Sequence, residues 1–227
     1  MTNRPRMVLL GRQGAGKGTQ AGRIASHYGV PHLSTGDIFR DAAKKGTPLG
    51  LQAAGYMERG ELIPDDVVLG VIRDLFDSGE IADGFVFDGF PRTAAQGREL
   101  SAILEAHGLA LDIVVDLDVS TEIVLHRLAG RRVCTGCGAT YHVDAPPTHP
   151  WVCDNCGGTV VQREDDTEAA IARRLELYEA ETAPLSDFYR QLGLLVSVDG
   201  VGTTDEVSAR LIDAIDAALA GPSAAAG

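Results

Sequence analysis

The chain has 227 residues, 44% of them hydrophobic and 23% charged, which is enough for one core with small inserted lobes. Its formal net charge of −12 argues against a general nucleic-acid binder, because nucleic-acid backbones favour basic surfaces. The apolar run at 7–10 is too short for a signal-peptide core, and no run approaches the roughly 18–20 residues of a membrane span. We therefore expect a cytoplasmic protein with no membrane partner.

Short apolar runs alternate with helical patterns along the chain. The runs predict strands at 7–10, 30–33, 84–88, 113–117 and 194–198. The patterns predict helices at 20–28, 35–45, 49–59, 65–77, 94–107, 121–128, 167–189 and 203–219, and the small residues of 221–227 predict a flexible tail. Alternating strands and helices imply a parallel sheet covered on both faces, a three-layer α/β fold.

A glycine-rich segment lies between the first strand and the first helix. Residues 11–19 read Gly-Arg-Gln-Gly-Ala-Gly-Lys-Gly-Thr. Its backbone N–H groups can surround phosphate oxygens, and Lys17 can reach the β- and γ-phosphates. Gly18 replaces the usual Ser or Thr, so the hydroxyl that binds Mg²⁺ moves by one position to Thr19. A glycine turn without a ligand is the alternative, and the lysine and the strand–helix context argue against it.

Polar residues follow two later strands. Thr35 is placed either to cap a helix or to bond a ligand, and Arg40 lies about one turn further on. Asp88 ends an apolar strand, where a carboxylate can hold hydrated Mg²⁺ near the glycine loop. A simple turn aspartate is the alternative for Asp88.

Residues 130–166 differ in character from the rest and indicate a small inserted lobe. They contain all four cysteines of the chain: Cys134, Cys137, Cys153 and Cys156. Two C-x-x-C pairs separated by 15 residues predict a four-thiolate zinc site, structural because no ligand position stays open. Disulfides are the rival interpretation. His142 and His149 are possible alternative ligands, which we interpret as surface residues.

Two of these segments carry a family resemblance. Residues 11–19 resemble the Gly-x-Pro-Gly-x-Gly-Lys-Gly-Thr loop of adenylate kinases and related nucleoside monophosphate kinases, and Asp-Gly-Phe-Pro-Arg-Thr at 88–93 resembles the family signature. The likeness extends over about 7–219. Gln13 stands where the family usually has proline, and we expect it to loosen the loop slightly without removing binding.

The resemblance implies a fold and a reaction. The fold is a three-layer P-loop domain with a central parallel five-stranded sheet, a helical AMP-binding insert and a small zinc-bearing β lid. The implied core comprises 1–33, 64–129 and 167–227, with the AMP lobe at 34–63 and the lid at 130–166. The reaction is ATP + AMP ⇌ 2 ADP with Mg²⁺.

The resemblance also implies roles for individual residues. The ATP site would contain Gly14, Ala15, Gly16, Lys17, Gly18, Thr19, Arg127, Arg131, Thr140, Tyr141 and Gly202. The AMP site would contain Thr35, Arg40, Glu61, Leu62, Ile63, Gly89, Phe90, Pro91, Arg92, Gln96, Arg163 and Arg174. The catalytic set would be Lys17, Asp88, Arg92, Arg127, Arg131, Arg163 and Arg174, with Asp88 holding Mg²⁺ through water. Arg132 and Arg173 receive no role.

Two other functions remain open at this stage. A UMP or CMP kinase would share the loop, but such relatives typically lack a long lid. A zinc-ribbon nucleic-acid binder would explain the cysteines but neither the loop nor the net charge of −12. We expect a monomer.

Overall fold

Eight strands form two sheets in the computed structural model, which describes residues 4–79, 81 and 83–221. The strands are β1 Arg6–Leu10, β2 His32–Ser34, β3 Phe85–Asp88, β4 Ile113–Asp118, β5 Arg131–Cys134, β6 Thr140–His142, β7 Val160–Val161 and β8 Leu195–Asp199. The central sheet is parallel, in the order β2-β3-β1-β4-β8, and a smaller antiparallel sheet has the order β6-β5-β7. The predicted tail at 222–227 lies outside the described residues.

Helices connect the parallel strands. They are α1 Lys17–Tyr28, α2 Thr35–Lys44, α3 Pro48–Glu58, α4 Asp65–Asp77, α5 Ala94–Ala106, α6 Thr121–Gly130, α7 Glu168–Leu177, α8 Ala183–Gln191 and α9 Thr204–Leu219. The single helix predicted over 167–189 is divided by a π-helical turn, Tyr178–Thr182. Pro184 follows this turn, and it has no N–H to donate to the carbonyl four residues earlier.

The core lies on both faces of the central sheet. In β1, Met7 and Leu9 join a buried cluster that includes side chains of α1, α6 and α9. Val8 and Leu10 join a second cluster with side chains of α4, α5 and α8. Successive side chains of a strand point to opposite faces, so this alternation produces the three layers that the sequence predicts.

The strand register places two carboxylates at one edge of the sheet. Leu9 pairs with Asp88 of β3, and Leu10 pairs with Asp116 of β4. Both acidic residues therefore flank the carboxyl end of β1, where the glycine loop begins. In open parallel sheets the crevice outside this edge is the usual ligand site.

Two smaller units extend from this edge. The first is the helix pair α2–α3, in which Gly50 approaches α2 closely: a Cβ there would lie 2.2 Å from the Ala42 carbonyl carbon. The second is the antiparallel sheet, whose small core contains Cys134, Cys153 and Val160. Among the described residues, no helix combines the length and the apolar character needed to cross a membrane.

The close approach at Gly50 yields a stability prediction. Gly50→Ala forces a methyl group against the α2 backbone, so we expect it to lower the free energy of unfolding by about 1–3 kcal/mol. Gly70→Ala is the matched control, because no atom lies within 4 Å of its added Cβ inside α4. Alanine has the higher helix propensity, so this control should gain about 0.5–1 kcal/mol. Urea unfolding measures both, and equal midpoints for the two variants would contradict the packing assignment.

Candidate functional site

The glycine loop leaves the start of α1 open to an anion. Gly16 caps the helix in a left-handed conformation (φ 106°) with no side-chain hydrogen bond, and the first turn has no acidic residue. Gly14 also has a positive φ of 84°, which non-glycine residues rarely adopt. The first N–H groups of a helix lack intrahelical partners. Together with the helix dipole, they form a binding site for phosphate.

Lys17 lies inside this loop. Its Nζ donates to the carbonyl oxygens of Gly11 at 2.6 Å and Arg12 at 2.9 Å. Burial lowers the pKa of Lys17 to about 8, while the nearby Asp88 carboxylate opposes the shift. The ammonium group is therefore held next to the anion site and is close to its titration point at neutral pH.

Two carboxylates stand beside the loop. Asp88 faces the first turn of α1, where its Oδ2 would lie 3.4 Å from a Cβ on Gly18. This position fits the predicted role in holding hydrated Mg²⁺. The second carboxylate, Asp116, was not predicted from the sequence. It accepts a hydrogen bond from Ser186 at 2.9 Å, and burial raises its pKa. Asp116 sits within an apolar strand pattern, and that unusual position was the available signal.

The predicted arginines converge on the cleft from two sides. Arg131 at the start of β5 makes a paired contact with Asp166, at 2.7 and 2.5 Å. Arg174 of α7 donates to Asp165 at 2.5 Å and to the Met57 carbonyl at 3.0 Å. Both aspartates are buried, so their charges are compensated mainly by these arginines.

Arg40, Arg92 and Arg163 complete the positive cluster that begins with Arg131 and Arg174. Burial and then the charge of Arg174 lower the pKa of Arg92, while burial and then Arg40 and Arg131 lower that of Arg163 to about 10. Such shifts arise where cations are buried and, to a smaller extent, where like charges lie close together. The cluster is therefore suited to bind a polyanion, which relieves this repulsion.

The remaining predicted lid arginines separate into two groups. Arg127 donates to the Ala15 carbonyl of the loop at 2.9 Å and lines the cleft. Arg132 instead lies over the Trp151 ring at 5.9 Å, and Arg173 pairs with Glu176 on the surface. The residues without a predicted role are thus the ones that do not line the cleft.

Residues 34–40, which follow β2 and are called the acceptor segment here, are joined to the turn after β3 by a side-chain hydrogen bond to its backbone. The side chain of Ser34, not Thr35, caps α2, because Ser34 accepts from the Asp37 N–H. Thr35 instead donates to the Gly89 carbonyl at 3.0 Å, and Arg92 Nε donates to the same oxygen at 2.7 Å. The alternative of a Thr35 cap is therefore wrong.

Gln96 is buried with both ends of its amide engaged. Its oxygen accepts from the Arg92 N–H at 2.7 Å, and its nitrogen donates to Asp65 at 2.6 Å. The side chain lines the cleft, yet in this arrangement it mainly fixes the turn that carries Arg92.

The remaining residues that the resemblance assigns to the AMP site differ in whether they line the cleft. Glu61, Leu62, Ile63, Gly89 and Pro91 line the cleft. Phe90 does not: its side chain is 1% exposed and packs in the core beneath β3. The resemblance placed Phe90 in the site together with its neighbours, whereas its ring joins the core cluster that contains Val8, Leu10 and Phe87.

The four cysteine thiols converge as predicted. Each pair of Sγ atoms lies within 4.8 Å, and two pairs, Cys134–Cys156 and Cys137–Cys153, are 3.5 Å apart. This separation exceeds a disulfide bond and approaches the edge of about 3.8 Å for a tetrahedron with Zn–S bonds of about 2.3 Å. The Gly136 N–H donates to Cys134 Sγ at 3.3 Å. The described thiols thus fit a single tetrahedral metal ion.

Tyr141 connects this cluster to the cleft. Its hydroxyl donates to Cys153 Sγ at 3.4 Å, which is the main reason that the pKa of Cys153 falls to about 6. Thr140, Tyr141 and Gly202 all line the cleft on the side of the glycine loop. His142 contacts Asp144 and His126, and neither His142 nor His149 belongs to the cysteine cluster.

The glycine loop, the acceptor segment and the cleft-facing arginines border one cleft of about 1790 Å³. Its lining includes the loop, the acceptor segment, the arginine cluster and part of the cysteine lobe. Sites for single drug-sized ligands usually measure about 300–1,000 Å³. The cleft therefore has room for two nucleotides.

Comparisons with known proteins agree with this geometry. The sequence model of the family described as adenylate kinase matches residues 9–194. A protein of Bacillus licheniformis named adenylate kinase is 49% identical over 204 residues, which cover 89% of this chain and 94% of the relative. Proteins with the same name from Moorella thermoacetica and Carboxydothermus hydrogenoformans are 52% and 46% identical, over 86% and 92% of this chain and 90% and 99% of their own.

The lowered pKa of Lys17 predicts a proton uptake on nucleotide binding. Above pH 8 the free lysine is mostly neutral, whereas a bound phosphate favours its charged form. At pH 9 we expect binding of ADP to take up nearly one proton, and its affinity to fall about ten-fold from pH 7.5. Calorimetry in two buffers of different ionisation enthalpy measures this uptake. Lys17→Arg is the control, since arginine stays charged; equal uptake by that variant would assign the proton to another group.

Proposed function

The chain belongs to the adenylate kinase family of nucleoside monophosphate phosphotransferases, and we propose how its own residues carry out the transfer from Mg-ATP to AMP. The observation that carries the proposal is the convergence of two anion sites on one cleft. One site is the open start of α1 with Lys17. The other is the positive cluster of arginines, which includes Arg92 and Arg174.

ATP binds on the side of the glycine loop. Its β- and γ-phosphates take the N–H groups of 14–19, and Lys17 exchanges its carbonyl partners for phosphate oxygens. Arg127 and Arg131 approach the same phosphates from α6 and β5, and Thr140, Tyr141 and Gly202 border the adenine. When bound, Mg²⁺ neutralises charge on the β- and γ-phosphates, and Asp88 would hold it through water.

AMP binds on the opposite side. Arg40, Arg92, Arg163 and Arg174 surround its phosphate. Thr35, Gly89, Pro91, Gln96 and 61–63 border its nucleoside. Phe90 supports the turn from the core without contacting the nucleotide.

The transfer needs no general base. The nucleophile is an AMP phosphate oxygen that is already anionic at neutral pH. It forms a bond to the γ-phosphorus as the bond between that atom and the β–γ bridging oxygen breaks, leaving ADP on each side. The contribution of Lys17 and the arginines is to align the reactants and to stabilise charge on the transferring group.

We propose that 34–63 and 130–166 act as lobes on a core formed by the remaining residues. Closure of these lobes would exclude water, the competing acceptor. We also propose that the chain acts as a monomer. ATP and AMP are cytoplasmic metabolites, which supports action in that compartment.

A panel of acceptors tests the function. With Mg-ATP as donor, we expect AMP to give ADP at least about 100-fold faster, by kcat/KM, than UMP, CMP or GMP. Lys17→Met removes the charge at the loop but keeps the chain length, so we expect more than about 100-fold loss of kcat. A circular dichroism spectrum should show that this variant remains folded. Preferential use of UMP or CMP would instead identify the pyrimidine branch of monophosphate kinases.

Zinc in the four-cysteine site is proposed as a structural ion. The small sheet has only a few buried apolar residues, so a metal would supply much of its stability. We expect one zinc per chain, and a fall in melting temperature of about 5–10 °C on chelation or in Cys137→Ser. Activity at low temperature should persist, because the ion would hold a lobe and take no part in the transfer. Cobalt substitution should give thiolate-to-metal absorption bands, and immediate inactivation of a fully folded chain on chelation would refute a purely structural role.

A further inference from the structure

Gln13 is the one residue of the glycine loop that departs from the family pattern, which has proline there, and the proposed mechanism gives it no task. Its side chain lines the cleft. It faces Arg131 of β5 and Arg174 of α7, which approach from the opposite wall.

The geometry of this contact is that of an acceptor shared by two donors. With its amide oxygen towards the arginines, Gln13 accepts from Arg131 Nη2 at 3.2 Å and from Arg174 Nη1 at 2.7 Å. Guanidinium nitrogens only donate hydrogen bonds, so the opposite orientation would place the amide NH₂ against two further donors. The oxygen therefore belongs on this side.

The contact with Gln13 attaches the two arginines to the glycine loop, which their contacts with carboxylates do not do. Arg131 is otherwise anchored by Asp166, and Arg174 by Asp165 and by the Met57 carbonyl at the end of α3. None of these anchors lies on the glycine loop. Gln13 fixes them relative to the glycine loop, which is the element that holds the phosphates in the proposed mechanism.

The chemistry of glutamine suits this position. A carboxylate here would accept the same hydrogen bonds but would repel the phosphates, and proline has no side-chain acceptor. The amide oxygen is neutral, and it bridges two like charges that also share the Asp166 carboxylate. Hydrogen bonds to charged donors are the stronger kind.

We propose that Gln13 is a positioning residue that aligns Arg131 and Arg174 with the phosphate loop for phosphoryl transfer. The inference rests on the proposed function, since it takes Arg131 to contact the ATP phosphates and Arg174 to contact the AMP phosphate. It assigns Gln13 an effect on kcat rather than on nucleotide binding, because the ground-state phosphates keep Lys17 and the loop N–H groups.

Steady-state kinetics of the full-length, zinc-loaded protein test this inference. Gln13→Met keeps the side-chain volume and removes the acceptor. We expect kcat to fall about ten-fold, with KM for ATP and for AMP within about two-fold of the unaltered chain. Gln191→Met, the same exchange at an exposed residue at the end of α8, should change none of these constants.

A double-mutant cycle separates positioning from a local effect on the loop. In an Arg174→Met background, Gln13→Met should lower kcat by less than about three-fold, because one of its two partners is already absent. An unchanged kcat, a rise in KM alone, or an equal ten-fold loss in both backgrounds would overturn the inference. Failure of the proposed function has a different result: the unaltered chain would then form no ADP from ATP and AMP.

Discussion

The structure depends on holding several positive charges together in a cleft before an anion binds there. Burial and mutual repulsion lower the pKa values of Lys17, Arg92 and Arg163, which shows the energetic cost of this arrangement. The buried pair Asp165 and Asp166 offsets part of that cost through close contacts with Arg174 and Arg131. A bound polyphosphate would offset the rest of that energetic cost. The same electrostatic attraction therefore favours both the binding of the anion and the alignment of the catalytic groups.

The parallel sheet explains why these charges meet. All the strands of the central sheet end at one edge, and the register places Asp88 and Asp116 on either side of β1. The glycine loop leaves this edge and presents the uncapped start of α1. The arginines come from α2, the turn after β3, α6, α7 and the two ends of the inserted lobe, so each lies on a different element. Movement of any one element therefore changes the electrostatics of the whole cleft.

The inserted lobe follows a different principle of stability. Its buried cluster contains Cys134, Cys153 and Val160, far fewer apolar side chains than the two clusters of the central sheet. Four converging thiols can replace a hydrophobic core, because metal–thiolate bonds need only a few residues and fix the chain in several places. The adjacent Tyr141 links that cluster to the cleft, so the stability of the lobe and the shape of the nucleotide site are connected.

The sequence by itself determined the strand and helix order of the central sheet, the phosphate loop and the cysteine set, because each depends on local pattern or on motif spacing. The arginines that line the cleft were indicated only by the resemblance to the family. The sequence left open whether Thr35 caps α2, the resemblance placed Phe90 in the site, and neither showed the π-helical turn after α7. Only the tertiary structure decided how Asp116, Asp165 and Asp166 are used, and what Gln13 contacts. These interactions join residues from distant parts of the chain. Periodicity in a sequence predicts local structure, and it does not predict which distant side chains come into contact.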